Sequence, residues 1–291
     1  MSFAGVELGG TKCVLTLATG PDDVRERAVV ATASPGETLA WIERVLGRWK
    51  ANHGIDALGV ASFGPIDVDQ SSATYGNVLS TPKPGWAGTA VARRLQRVLG
   101  VPMAFDTDVN GAAMAEMQWG SGRNLVDFAY ITVGTGVGVG LIVAGKPIRG
   151  FGHCELGHIR VRRLPGDDWP GSCPYHQDCV EGVASGSALR ARYGENLDKL
   201  GADDPLWDNV AWTLAQLCHA IVCAVAPQRI AIGGGVMERQ PHLLEKIEAR
   251  LIESLNGFID LPGDGPFIRR PGLGSDAGPL GAIALAMQAK R

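Results

Sequence analysis

The sequence predicts an α/β protein of two domains, and three observations carry that expectation. At 291 residues the chain is long enough for two domains and a sizeable core. Strand-like apolar runs alternate along it with segments whose apolar residues recur at helical spacing. A strand, Gly/Thr turn, strand device occurs twice, as VELGGTKCVLTLATG and ITVGTGVGVGLIVAG, about 125 residues apart. Gly-Thr turns between strands are common, so chance is one reading of this. A duplication is the other, and it would give two similar halves facing each other across a cleft, each presenting one turn.

Taken in order, Phe3–Gly9 and Lys12–Thr19 are apolar runs joined at Gly9-Gly10-Thr11, which reads as a β-hairpin. An extended run near Arg27–Ala33 adds a strand, and Pro35–Trp49 is a helix with its proline at the start. Ala57–Phe63 returns to strand and breaks at Gly64-Pro65, and Ser71–Trp86, which contains TPKPGW, is a long loop. Thr89–Leu99 is helical. Val101–Phe105 is a strand that delivers Asp106-Thr107-Asp108, and Val109–Trp119 resumes as helix. Phe128–Ala144 repeats the opening hairpin. Beyond Gly186, Pro205–Val225 is a long helix ending before Pro227. RIAIGGGVM is a buried strand entering a triple-glycine turn, and His242–Asn256 is amphipathic. Phe267–Leu273 is a short strand, and Ala277–Lys290 is a small-residue helix whose Gly278 and Gly281 permit close packing on a neighbour.

Glycine supplies 40 residues, about twice the usual share, dispersed as punctuation for tight turns. A net charge of -3 without a basic stripe argues against a nucleic-acid partner. No apolar run of 18 residues and no charged-then-apolar leader is found, so the expectation is a soluble chain with no membrane role and no secretion signal. Six cysteines in a chain this large do not form a small disulfide scaffold, which points to a reducing, cytoplasmic compartment. Cys13, Cys218 and Cys223 read as core residues.

Between Gly152 and Gly186 the residues His158, Cys173, His176 and Cys179 are spaced H-x14-C-x2-H-x2-C. Two thiolates and two imidazoles are the tetrahedral set that zinc prefers, and a closed set leaves no position for an activated water, so the metal would be structural. The plainer reading makes the cysteines small buried residues and His176 a surface one. Glu155 and Glu181 bracket the segment, so an ion pinning it would fix them too, and His153 and Cys154 are further possible ligands. Three Gly-rich turns, at Gly9–Lys12, Gly134–Gly138 and Gly233–Gly235, each follow an apolar strand. Such turns are often only structural. Three of them, with Thr11, Thr135 and Lys12 as added donors, suggest a cleft for a nucleoside triphosphate. Asp108 stands between strand and helix, where a carboxylate is either an N-cap or a general base, and Asp106 is the alternative base.

Ordered matches along nearly the whole chain resemble the ROK family of sugar kinases, and its fructokinase branch in particular. They are ELGGTK (7–12), ASFGPID (61–67), TPKPGW (81–86), DTDVN (106–110), TVGTGVGVG (132–140), ELGH (155–158), CPYHQDCVEG (173–182) and GGGVM (233–237). The resemblance implies an actin-like, ribonuclease-H-like fold with ATP and sugar in an interdomain cleft. Its smaller domain would be residues 1–108 plus the helix from about 277 to 291, and its larger one 109–276 with the zinc loop. Asp108 would deprotonate the sugar hydroxyl. Glu155, His158, Glu181, Gly64 and Asn77 would bind the sugar, with His158 also ligating zinc. Gly9, Gly10, Thr11, Lys12, Thr132, Gly134, Thr135 and Gly136 would hold phosphates. Gly233, Gly234, Gly235, Val236 and Met237 would lie against the adenosine. Ser187, where the family often has proline, would be a minor nucleotide contact. Magnesium would arrive with ATP, the zinc would be structural, and the chain would be a homodimer.

Two departures from the glucokinase-like pattern bear on substrate: Glu7 in place of Asp, and C-x2-H-x2-C in place of a three-cysteine loop. Both, with TPKPGW, match the fructokinase branch and move the expectation to D-fructose and fructose 6-phosphate. Glucose, mannose or N-acetylmannosamine are the broader alternatives. A ROK regulator is disfavoured because the first turn, at Gly9, leaves no room before it for a helix-turn-helix. A zinc hydrolase would need an open coordination position.

Overall fold

The computed structural model describes residues 1–290. It contains two compact α/β units, Met1–Arg123 with Pro147–Cys154 and the segment from Ser275 onward, and Asn124–Lys146 with Glu155–Gly274. In the first, strands β1 (Phe3–Leu8), β2 (Lys12–Gly20), β3 (Asp23–Ala31), β4 (Ala57–Ser62) and β5 (Met103–Thr107) form a sheet of order β3-β2-β1-β4-β5. β1 is antiparallel to β2, as the hairpin reading expects, and parallel to β4. Strand alternation divides this sheet. Val6, Leu8, Leu15, Leu17, Leu58 and Val60 pack with α1 (Pro35–His53) and α2 (Val91–Leu99) through Leu39, Ile42, Leu46, Trp49 and Leu95. The opposite face carries Gly5, Gly59 and Ala61, which admit the C-terminal helix α9 (Ala277–Ala289) at backbone distance. A Cβ on Gly59 would fall 1.9 Å from the Ala282 carbonyl oxygen.

Helix α3 (Asp108–Trp119) lies against α9 with Gly281 at the crossing, where a Cβ would come within 2.5 Å of the Gly111 carbonyl carbon. This packing keeps α3 in the first unit, so the boundary falls after Arg123 and not at residue 108.

The second unit repeats the plan. β6 (Phe128–Val133), β7 (Val137–Val143), β8 (Lys146–Pro147), β9 (Arg229–Gly233) and β10 (Ile268–Arg269) are ordered β8-β7-β6-β9-β10. Its first two strands are again antiparallel and its first and fourth again parallel. Numbered within each unit, both sheets read 3-2-1-4-5, the form a duplication takes after its sequence has diverged. The expected strand over Phe267–Leu273 shrinks to Ile268–Arg269, since Pro271, two residues past its end, cannot donate to a ladder.

Helices α4 (Val180–Ala184), α5 (Gly186–Tyr193), α6 (Leu206–Val225), α7 (Gly235–Arg239) and α8 (Leu243–Leu255) complete this unit. Among the described residues, α6 is the helix long and apolar enough to cross a membrane, and half of that window is buried within the fold. Its buried stripe includes Leu214, Cys218, Ile221 and Val222, which turns Cys223 outward. The expectation of Cys223 as a core residue is therefore corrected, whereas Cys13 and Cys218 are buried.

Candidate active site and metal centre

In the first unit the Gly9–Lys12 turn closes the β1–β2 hairpin, with the Gly9 amide donating to the Lys12 carbonyl at 3.1 Å. Gly9 is needed there, because a Cβ would fall 2.7 Å from the Lys12 carbonyl oxygen. Gly10, Thr11 and Lys12 are exposed. Alternation places Glu7, the last odd position of β1, on the α9 face. Its carboxylate occupies the space that a side chain at position 278 would fill, with Oε1 only 2.1 Å from a Cβ built on Gly278. Gly278 thus makes room for a Glu at position 7. Burial first, and the charge of Asp108 second, push the Glu7 carboxyl up to about 7.

Asp106 and Asp108 have different surroundings. Asp106, at 2% exposure, accepts from the Thr107 amide (2.7 Å), the Asn110 side-chain amide (2.8 Å) and the Arg149 guanidinium (2.5 Å). Thr107 is the N-cap of α3 through its hydroxyl and the Asn110 amide. Asp108 is therefore relieved of capping. It sits half-buried at the first helical position, accepts from the Val109 amide at 2.9 Å, and is pushed up to about 6 by desolvation. Of the two candidates, Asp108 is the carboxylate available to take a proton near neutrality.

Gly64 forms the cis peptide before Pro65, and the following Ile66 amide donates to His153 Nε2 at 3.0 Å. Asn77 lies in the same loop, its carbonyl accepting from the Asp67 amide. His153 is engaged here and lies outside the metal cluster, where it had been an optional ligand. Burial lowers its pKa, which keeps it neutral and able to accept.

In the second unit the turn at Gly134–Gly136 links β6 to β7, and Gly134 accepts from the Gly186 amide at the start of α5 (2.7 Å). Thr135 and Ser187 are exposed beside it, with the Ser187 amide 3.4 Å from the Thr135 carbonyl, and Thr132 is the second-last residue of β6. Gly234, at φ +93°, stacks on the end of β6, where a Cβ would meet Val133 backbone atoms at 2.6–2.7 Å. Gly233 and Gly235 flank it, and the side chains of Val236 and Met237 are buried on α7. The adenosine expectation at this turn thus concerns mainly backbone.

His158, Cys173, His176 and Cys179 come together with their ligand atoms all within 4.8 Å of one another. Cys173 Sγ lies 3.7 Å from His158 Nδ1 and 3.8 Å from His176 Nδ1, and Cys179 Sγ lies 3.7 Å from His158 Nδ1. A tetrahedral zinc with ordinary Zn–S and Zn–N bonds separates its ligands by about 3.3–3.8 Å, so the donor set fits. Burial pushes the Cys179 thiol up, and a thiolate there calls for a cation beside it. The loop is held by paired Cys173–Gln177 backbone bonds and by Gly182, where a Cβ would fall 1.8 Å from the Gln177 carbonyl oxygen.

On the far edge of the His158 ring, Nε2 faces Glu181 Oε1 at 4.0 Å, while Glu181 Oε2 accepts from the Val137 amide at 3.0 Å. One carboxylate therefore lies between His158 of the Cys/His cluster and the second glycine turn, the place an outer partner of a metal ligand would take. Glu155 is exposed at the start of the turn containing His158.

Two units of one strand order, each opening with a hairpin closed by a glycine turn, are the plan of the actin-like ATPase fold that ROK sugar kinases share. The ROK family model matches residues 3–289, and the chain belongs to that family of sugar kinases. It is 41% identical over 261 residues to the fructokinase of Lactococcus lactis subsp. cremoris (89% of this chain, 87% of that one). It is 37% identical over 289 residues to the fructokinase of Pediococcus pentosaceus (99% of each). The solved ROK glucokinase of Streptomyces griseus, in complex with glucose and AMPPNP, superposes with a TM-score of 0.77 at 25% identity, covering 99% of this chain and all of that one.

Proposed function

We propose that this chain transfers the γ-phosphoryl group of ATP to D-fructose, giving D-fructose 6-phosphate and ADP. The observation that carries the choice of sugar is that full-length relatives named fructokinase are 37–41% identical, against 25% for the solved glucokinase. Glu7, which the sequence resemblance pairs with the fructokinase branch, stands opposite Gly278.

In this reading Asp108 accepts the proton of the attacking hydroxyl. An acceptor pushed to about 6 is ionised at neutral pH yet basic enough to take a proton as the oxygen–phosphorus bond forms. The amides of the Gly9–Lys12 turn, the Lys12 ammonium and the Gly134–Gly136 turn hold phosphate oxygens, so alignment and charge stabilisation supply most of the rate. Magnesium, arriving with ATP, would supply neutralisation of the phosphate charge. The four-residue cluster holds structural zinc and braces His158 and Glu181, which with Glu155, Gly64 and Asn77 contact the sugar; Gly233–Met237 and Ser187 contact the nucleotide. The expectations of a homodimer and of a cytoplasmic location rest on the sequence resemblance and on cysteine usage.

The test is ADP release over fructose, glucose, mannose and N-acetylmannosamine. The highest kcat/KM falls to fructose, by about tenfold or more. A higher kcat/KM for glucose would overturn the choice of sugar, and no hexose-dependent release from any of the four would overturn the activity.

A further inference from the structure

The loop TPKPGW (81–86) is firmly built. Trp86 is fully buried, donates from its indole nitrogen to the Ala33 carbonyl at 3.0 Å, and sets its ring edge against Phe63 with centroids 5.3 Å apart. Held by that anchor, Lys83 reaches across 73 positions of sequence and donates from Nζ to the Gly10 carbonyl at 2.6 Å.

Every carbonyl of the Gly9–Lys12 turn has such a donor. Gly9 accepts from the Thr32 hydroxyl (2.7 Å), Thr11 from the Thr32 amide (2.9 Å) and Lys12 from the Gly9 amide (3.1 Å). The bond to Gly10 is the charged one among the four. Gly10 is exposed, and a Cβ there would meet nothing within 4 Å, so no packing against its α-carbon fixes the orientation of the Gly10–Thr11 peptide. In a trans peptide the N–H points opposite to the C=O. Fixing the Gly10 carbonyl on Lys83 therefore directs the Thr11 N–H to the other side. A rotated peptide would turn a carbonyl oxygen to that side, which repels a phosphate where the amide attracts it.

We infer that Lys83 is a positioning residue that latches the Gly10–Thr11 peptide with its amide, and not its carbonyl, facing the triphosphate. The inference rests on the proposed ATP chemistry at this turn. It gives TPKPGW a function: Trp86 anchors the loop and Lys83 sets the polarity of the phosphate turn.

The experiment compares wild type, Lys83→Met and Lys83→Arg for affinity to AMPPNP and to adenosine by calorimetry, with steady-state kinetics and Tm on the same samples. A charged hydrogen bond of this kind is worth roughly tenfold or more in an equilibrium. Lys83→Met is expected to weaken AMPPNP and raise KM for ATP about tenfold. Adenosine affinity, KM for the sugar and Tm stay near wild type, and Lys83→Arg recovers most of the loss. Unchanged AMPPNP affinity in Lys83→Met overturns the latch, as does an equal loss for adenosine or a Tm drop with both ligands weakened. Hexose-dependent turnover by the wild type separately tests the activity on which the latch depends.

Discussion

Asp106 and Asp108 stand two residues apart at one strand-to-helix junction. Asp106 is buried and fully engaged with Arg149, Asn110 and the Thr107 amide, which stiffens the junction. Asp108 keeps one amide partner and a carboxyl pushed to about 6. A base must be ionised to accept a proton, and protonation of Asp108 grows as pH falls through about 6. The sugar kcat/KM should therefore drop about tenfold per unit below that pH and level off above it, as measured by initial rates from pH 5 to 8. Glu7 sits higher, at about 7, and is already mostly protonated where that limb appears. The Glu7→Gln variant should therefore keep the limb. A profile flat down to pH 5 would remove Asp108 as the titrating base.

At the level of elements, the metal loop and the second hairpin share Glu181, which lies 3.0 Å from the Val137 amide and 4.0 Å from His158. If the cluster holds zinc, removing it would leave two buried thiols in a loop tied by the Cys173–Gln177 turn bonds, the Ser172–Gly182 bond and the Val180–Ile159 bond. Purified protein should contain about one zinc per chain by elemental analysis. Chelation or Cys179→Ser should lower Tm by about 5–10 °C, the scale of losing a few kcal/mol in a chain of this size. Because the loop positions Glu181 and His158, partial metal loss should raise KM for the sugar more than KM for ATP. Metal-free protein with an unchanged Tm would leave the cysteines as ordinary buried residues.

Much at this level was legible in the sequence, since hairpins, turns and the Cys/His spacing are local patterns. Tertiary ties were not. Gly278 clearing space for Glu7, His153 accepting from Ile66 and Arg149 closing on Asp106 join positions far apart in the chain, with no periodicity to announce them.

For the molecule as a whole, the duplicated strand order 3-2-1-4-5 vindicates the pairing of the two Gly/Thr hairpins. The boundary expected at residue 108 was misplaced because it followed the local strand-to-helix break. Helix α3 is retained by its glycine crossing with α9, from the other end of the chain. The anchoring of Pro147–Cys154 in the first unit was likewise hidden, since it depends on Arg149 and His153 finding partners more than 40 positions upstream. Family membership follows from a family model that matches residues 3–289 and so spans both units. The most direct measurement is fructose-dependent ADP formation by Asp108→Asn beside wild type, with ADP affinity determined on the same preparation. Loss of turnover by about a thousandfold with ADP affinity retained is the expected result. Turnover within tenfold of wild type would contradict Asp108 as the base in phosphoryl transfer to fructose.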